Sequence, residues 1–170
     1  MRIIKLGFIS LIVFALLITG ISLFFPSHVR ISKAIDINAS RDSVLNQLNN
    51  PANWKKWYPG ADTAAYVIIE GKIKGVQTGY MQGLMITGAT DSTITAANIG
   101  PGSKEGESGW NIFDAGVPNT VTVQWYMDFH LRWYPWEKFS SLLLEKRYGP
   151  VMETGLDKLK KMMEKQHGQP

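Results

Sequence analysis

Between Tyr126 and Arg132, four side chains capable of chemistry recur at every second position: Tyr126, Asp128, His130 and Arg132. In an extended chain that spacing puts all four on one face of a strand. A carboxylate placed this way could orient an imidazole as a general base, with Asp128 and His130 as the pair. The plainer reading is the polar, solvent-facing side of an antiparallel strand, where opposite charges two apart are common. Other chemistry is sparse. His28 and His167 lie far from His130 and bring no second ligand at metal spacing, so no metal site is expected. Cysteine is absent, which removes thiolate nucleophiles, Cys-based metal sites, disulfides and a lipobox. There is no serine elbow, kinase signature or dinucleotide glycine motif, and Gly-Ser-Lys at 102–104 lacks the Walker spacing and order. No cofactor is implied.

The strand that would carry these residues is the clearest element in the chain. From Asn119 to Trp133, Val121, Val123, Trp125, Met127, Phe129, Leu131 and Trp133 alternate strictly with polar residues or Tyr126. That predicts one long strand with an apolar and a polar face. Val29, Ile31, Ile35 and Ile37 predict an earlier half-buried strand, its apolar face broken once by Lys33. Ser40 then sits where an N-cap belongs, with Val44 and Leu48 on one helix face. Asn50-Pro51 starts a second short helix that carries Trp54 and Trp57 on one side. Residues 65–69, 77–87, 92–99 and 109–113 read as further strands, and 100–109 as a hairpin loop. Gly71, Gly75, Gly79 and Gly83 fall at intervals of four, but the lysines between them favour bends of a curved sheet over a membrane helix pair. Met152, Leu156, Leu159 and Met163 predict an amphipathic helix with lysines on its other side. Gly149-Pro150 would separate it from a short helix at 136–146. Strands followed by a terminal helix make an α+β domain.

Ahead of all this stands an apolar run. Residues 6–25, LGFISLIVFALLITGISLFF, carry no charge and end at Pro26. Twenty helical residues span about 30 Å, the thickness of a bilayer core. Arg2 and Lys5 precede the run, as in a signal anchor; a cleaved signal is the competing reading, with Gly20 and Ser22 as its small residues. Residues 1–26 are therefore expected to be an anchor or signal sequence, and 27–170 the domain. The leading positive charges favour a single-pass cell-membrane protein whose domain is extracytoplasmic (periplasmic), although Arg30 and Lys33 follow closely. The net charge of +4 and the 19% charged residues are compatible with a nearby anionic membrane. They fall short of the Lys/Arg clustering that nucleic acid binding needs, and no nucleic acid partner is expected.

The tripeptide Trp-Tyr-Pro occurs twice, at 57–59 and 133–135, in surroundings that share neither period nor element type, so it is not a repeat. Trp54, Trp57 and Tyr58 either plug the end of the core or line a cavity entrance. The second copy would be a membrane belt if its loop faced a bilayer, a protein-docking patch if exposed, or a structural corner.

With that order of elements, VRISKAIDINASRDSVLNQLNNPANWKKWYP at the start and NTVTVQWYMDF, WYPWEKF and RYGPVMETGLDKLKKMM at the end resemble a known family. It is the polyketide cyclase/dehydrase and lipid-transport group of the START-like, helix-grip superfamily (SRPBCC), and the resemblance covers residues 29–165. It implies a curved antiparallel sheet gripping a long C-terminal helix, with an apolar cavity between them. It also implies a hydrophobic or amphipathic ligand of lipid, quinone or polyketide type. The residues expected to face between sheet and helix are Trp54, Trp57, Trp110, Trp125, Met127, Phe129, Met152 and Leu156. Some family members are cyclases or other enzymes, but no branch-specific catalytic motif is present to carry over. A membrane-tethered binding module is therefore the first expectation. A cyclase or hydrolase using Asp128 and His130 is the second, and a protein-interaction module with unknown partners is the third.

Overall fold

The computed structural model describes residues 2–79, 82–100 and 106–167. Helix α1 (Arg2–Ser22) is followed by strand β1 (His28–Ile37), helix α2 (Arg41–Asn49) and a 3-10 helix (Pro51–Lys56). Six strands come next: β2 (Ala65–Ile69), β3 (Lys72–Gly79), β4 (Gln82–Ala89), β5 (Thr93–Ile99), β6 (Glu107–Asp114) and β7 (Val121–His130). Helix α3 (Pro135–His167) ends the described chain. The strands form one antiparallel sheet in the order β1-β7-β6-β5-β4-β3-β2. β1 pairs with β7 over its whole length, from His28 opposite His130 to Ile37 opposite Val121.

Period two decides which side each strand buries. Val121, Val123 and Trp125 of β7 and Ile31 and Ile37 of β1 turn inward, where α3 meets them with Met152, Leu156, Leu159 and Met163. This is the helix-grip arrangement. Gly155 makes the close approach possible: a Cβ there would lie 2.7 Å from Trp125 Cζ3 and 2.9 Å from Pro59 Cδ. At the sheet edge, Lys33 reaches α3 and pairs with Glu145 and Glu153 at 2.7 and 3.0 Å. The one break in the apolar face of β1 is thus a clamp on the helix. Between β1 and the sheet meander, Ser40 caps α2, and the Asn50 side chain accepts the Ala52 N–H at 3.1 Å to start the 3-10 helix.

Four boundaries differ from the sequence pattern. Helix α3 runs unbroken through Gly149-Pro150, because Pro150 lies on the exposed side. There its missing N–H frees only the Lys146 carbonyl, a group water can serve. Residues 77–87 are not one strand but parts of β3 and β4, which pair Gly79 with Gln82. Tyr80 and Met81 fall outside the described residues, as do 101–105 of the expected 100–109 loop; in the sequence, Tyr and Met between Gly79 and Gln82 let the apolar pattern run on. β7 starts after Asn119, which takes the left-handed conformation at φ 57°. Finally, α1 begins at Arg2 and stops at Ser22, ahead of Leu23–Phe25, as expected for residues leading into a proline. Within it, Ile3–Ser22 is 20 residues, long and apolar enough to cross a bilayer; nearly all of it is exposed, and Ser22 at its end is buried.

Candidate ligand-binding cavity

Under the concave face the large rings come together. β6 and β7 pair Trp110 directly with Trp125, and their ring centroids lie 5.7 Å apart. The 3-10 helix lowers Trp54, Trp57 and Tyr58 onto this pair at centroid distances between 5.1 and 6.3 Å, mostly tilted or edge-on, as ring quadrupoles favour. The Trp54 indole donates to the Leu48 carbonyl at 2.8 Å, and Trp125 donates to Ser108 Oγ at 3.0 Å. The indole nitrogens of Trp57 and Trp110 have no hydrogen-bond partner among the described residues, and the two rings meet edge-on at 5.8 Å.

Beyond Tyr58 the packing stops and a cavity of about 580 Å³ begins. Leu84, Met127 and Phe129 of the sheet and Leu143, Leu144 and Tyr148 of α3 give it apolar walls. Asn98, Glu107, Asp128, Ser140 and Arg147 add polar groups at its border, and Tyr58 stands where the cavity meets the aromatic cluster. Tyr58 is half-buried between the aromatic cluster and the cavity, and desolvation of its phenol pushes the pKa above the ordinary tyrosine range. It is a neutral hydroxyl at any physiological pH.

The expected lining residues separate into two groups. Met127 and Phe129 border the cavity. Trp54, Trp57, Trp110, Trp125, Met152 and Leu156 are fully buried in the closed core, because the sheet curves tightly against α3 at that end and leaves no space beside them. Of the two roles open to the 3-10 helix rings, Trp54 and Trp57 plug the core, and Tyr58 reaches the cavity. The helix wall had a signal of its own: Ser140, Leu143 and Arg147 are spaced three and four on one α3 face.

The sequence model of the family described as polyketide cyclase / dehydrase and lipid transport matches residues 28–164. The chain belongs to this family. Solved structures of similar fold include a START superfamily protein from Mycobacterium smegmatis, with TM-score 0.61, 15% identity, and coverage of 80% of this chain and 97% of that one. The di-domain ARO/CYC StfQ of the steffimycin biosynthetic pathway aligns with TM-score 0.63 at 9% identity, over 84% of this chain and 52% of that one. Thalictrum flavum norcoclaurine synthase aligns with TM-score 0.60 at 13% identity, over 83% and 97%. At these identities the likeness concerns the fold. No curated protein matches the chain in sequence.

In this polyketide cyclase/dehydrase family member the residues with acid–base character lie on the opposite side of the sheet from Trp125. Arg30 grips Asp128 with two hydrogen bonds, Nε to Oδ1 at 2.7 Å and Nη2 to Oδ2 at 2.5 Å. His28 Nε2 stands 3.3 Å from the same Oδ1. His130 is exposed, lies against the His28 ring at 4.8 Å, and has no hydrogen bond to Asp128 among the described residues. Arg30 also covers the Tyr126 ring at 4.5 Å, and Tyr126 donates to Glu107 at 2.8 Å over Gly109, where a Cβ would strike the phenol. Burial, with help from Glu107, pushes the Tyr126 pKa up to about 12. Arg132 continues past the end of β7 and is exposed; its backbone N–H donates to Glu137 at 2.9 Å. Instead of a solvated polar face, the strand carries a covered Asp128 with its side chain 7% exposed under an Arg30 that is 53% exposed. Among the described residues no group of three or more His, Cys, Asp or Glu side chains could hold a metal.

The Arg30 hydrogen bonds hold the Asp128 carboxyl below the usual carboxylate range, against an opposing push from burial. A depressed folded-state pKa contributes stability that is present above the unfolded value and is lost as pH falls through the folded one. Asp128→Asn is therefore expected to cost about 1–2 kcal/mol at neutral pH, discounted for the exposure of Arg30. Urea unfolding should show that gap closing as pH drops below about 4. A gap that stays constant from neutral to acid pH would refute this account of the pair.

Proposed function

We propose that the chain is a membrane-anchored binding protein for a hydrophobic or amphipathic small molecule of lipid, quinone or polyketide type, held between the sheet and α3. The observation that carries this reading is the cavity of about 580 Å³ walled by Leu84, Met127, Phe129, Leu143 and Leu144. Pockets of roughly 300–1,000 Å³ with mostly apolar walls and a few polar groups are the ordinary form of small-molecule sites. The family's description, which names polyketide cyclisation and lipid transport, supports the same ligand class. Both carboxylates at the cavity border are engaged, Asp128 by Arg30 and Glu107 by the Tyr126 hydroxyl, which favours binding over catalysis.

A photoactivatable diazirine fatty acid, added to the full chain in detergent micelles, tests the site. Crosslinks mapped by mass spectrometry are expected at Tyr58, Met127, Phe129 and Leu144. Labelling confined to α1 or to scattered surface residues would sink the proposal.

Residues 1–26 form the anchor in this reading and 27–170 the domain, which lies on the extracytoplasmic side. Arg2 and Lys5 ahead of the span support that orientation. Because the chain has no cysteine, a single exposed reporter decides it. Asp62→Cys should be labelled by a membrane-impermeant maleimide in intact cells; labelling only after lysis would reverse the orientation.

A further inference from the structure

The described surface outside α1 carries a group of large exposed apolar side chains at the start of α3. Trp133 is 63% exposed, Trp136 68%, and Leu142 and Leu143 64% each. Trp133, Tyr134 and Trp136 stack in succession at centroid distances of 4.8 Å, so the rings are held in place while remaining open to solvent. Exposed groups of this kind mark a surface that something else covers.

Two observations name the cover. The first is where α1 ends. Only residues 23–27 separate it from β1, and five residues reach at most about 18 Å. That short link is tied to the same end of α3. Phe25 packs edge-on against Phe139 at 5.2 Å, and the buried Lys138 ammonium donates to the Phe25 carbonyl at 3.0 Å and to Ser27 Oγ. A bilayer around α1 would therefore begin beside the Trp133–Trp136 turn. The second observation is continuity with the cavity. Trp136, Ser140, Leu143 and Arg147 follow one another along one face of α3, and the last three of them line the cavity. The exposed rings and the cavity wall are one surface. Arg132, Lys146 and Arg147 flank it, all exposed, the charges that phospholipid headgroups attract.

We infer that Trp133, Trp136, Leu142 and Leu143 dock into the interfacial layer of the bilayer that holds α1, and that the cavity exchanges its ligand directly with that lipid. The inference rests on the proposed binding function and on α1 as an anchor. Tryptophan is suited to this layer, with an apolar body and a polar N–H for the headgroup region. The domain is then more than a carrier on a leash. Its cavity wall lies at the lipid boundary, and the ligand passes without crossing water.

The test uses the full chain reconstituted in vesicles of phosphatidylcholine and phosphatidylglycerol whose acyl chains carry bromine. Four of the six tryptophans are fully buried, so bromine should quench the two exposed ones, Trp133 and Trp136. The quenched fraction should vanish in the Trp133→Ser, Trp136→Ser double variant. Loading of the diazirine fatty acid from the same vesicles should become about tenfold slower in that variant, while equilibrium crosslinking in detergent stays at the wild-type level. Wild-type fluorescence untouched by bromine, with crosslinking in detergent intact, overturns docking and leaves the binding function standing. Absence of quenching together with dimer formation through a Leu142→Cys crosslink would assign the surface to a second copy, which also overturns it. Absence of crosslinking in detergent defeats the binding function and with it the ligand exchange, while the bromine result still decides docking.

Discussion

Replacing Gly155 by leucine is expected to take a large share of the domain's margin of stability. A β-carbon at this position would already lie 2.7 Å from Trp125 Cζ3 and 2.9 Å from Pro59 Cδ, and leucine adds three more carbons beyond it. The neighbours cannot yield. Trp125 is fully buried and wedged against Trp57, Trp110 and Tyr58, and Pro59 is held by its ring and by the turn after the 3-10 helix. Leucine in place of a helical glycine would ordinarily gain about 0.8 kcal/mol of helix propensity. Overpacking a full core costs about 1–3 kcal/mol, and rigid neighbours push it to the upper end or beyond. The clash should win, with a net loss of about 2–3 kcal/mol and a melting temperature lower by roughly 5–10 °C. Thermal unfolding of the full chain in detergent, followed by near-ultraviolet circular dichroism, measures it. An unchanged or raised melting temperature would mean that α3 does not press on the sheet as described.

The second large effect falls on binding and leaves stability almost alone. Met127 faces inward on β7 between Trp125 and Phe129, where the core ends and the cavity begins. Met127→Trp puts an indole into empty space instead of packed side chains, so its stability cost should stay below about 1.5 kcal/mol. The same ring would close the cavity in front of Tyr58 and deny the ligand its inner half. Crosslinking of the diazirine fatty acid at Phe129 and Leu144 is expected to weaken at least about tenfold in apparent affinity. Wild-type binding in this variant would place the ligand elsewhere. The contrast with Gly155→Leu is the point: the same kind of enlargement destabilises where the interior is full and blocks binding where it is hollow.

The sequence disclosed different amounts about different parts of the molecule. β1 and β7 were legible because one face is buried and the other is not, and the alternation of Ile31 and Ile37, or of Val121, Val123 and Trp125, records that directly. The α3 stripe from Met152 to Met163 was legible for the same reason at a helical period. The β3–β4 hairpin was hidden because Tyr80 and Met81, between the paired Gly79 and Gln82, continue the apolar pattern of the sequence. The continuity of α3 was hidden because Pro150 costs little on an exposed face, a tertiary circumstance that no local pattern encodes. For the cavity, eight inward positions could be named, but inward and hollow are different properties. Whether a buried tryptophan meets a neighbour or a void depends on sheet curvature, and that filled the space around Trp110 and left it open beside Met127 and Phe129. Asp128 illustrates the converse. Its polar neighbours on β7 marked an outer face, yet its partner Arg30 lies 98 residues away and covers it, which spacing along one strand cannot reveal.

Native mass spectrometry of the full chain, released from detergent micelles after purification from membranes, tests the central claim most directly. The account predicts a wild-type population carrying one apolar small molecule of lipid, quinone or polyketide class, and its loss in Met127→Trp at equal folding. A wild-type chain that emerges bare, and stays bare after exposure to a panel of fatty acids, phospholipids and quinones, would contradict it.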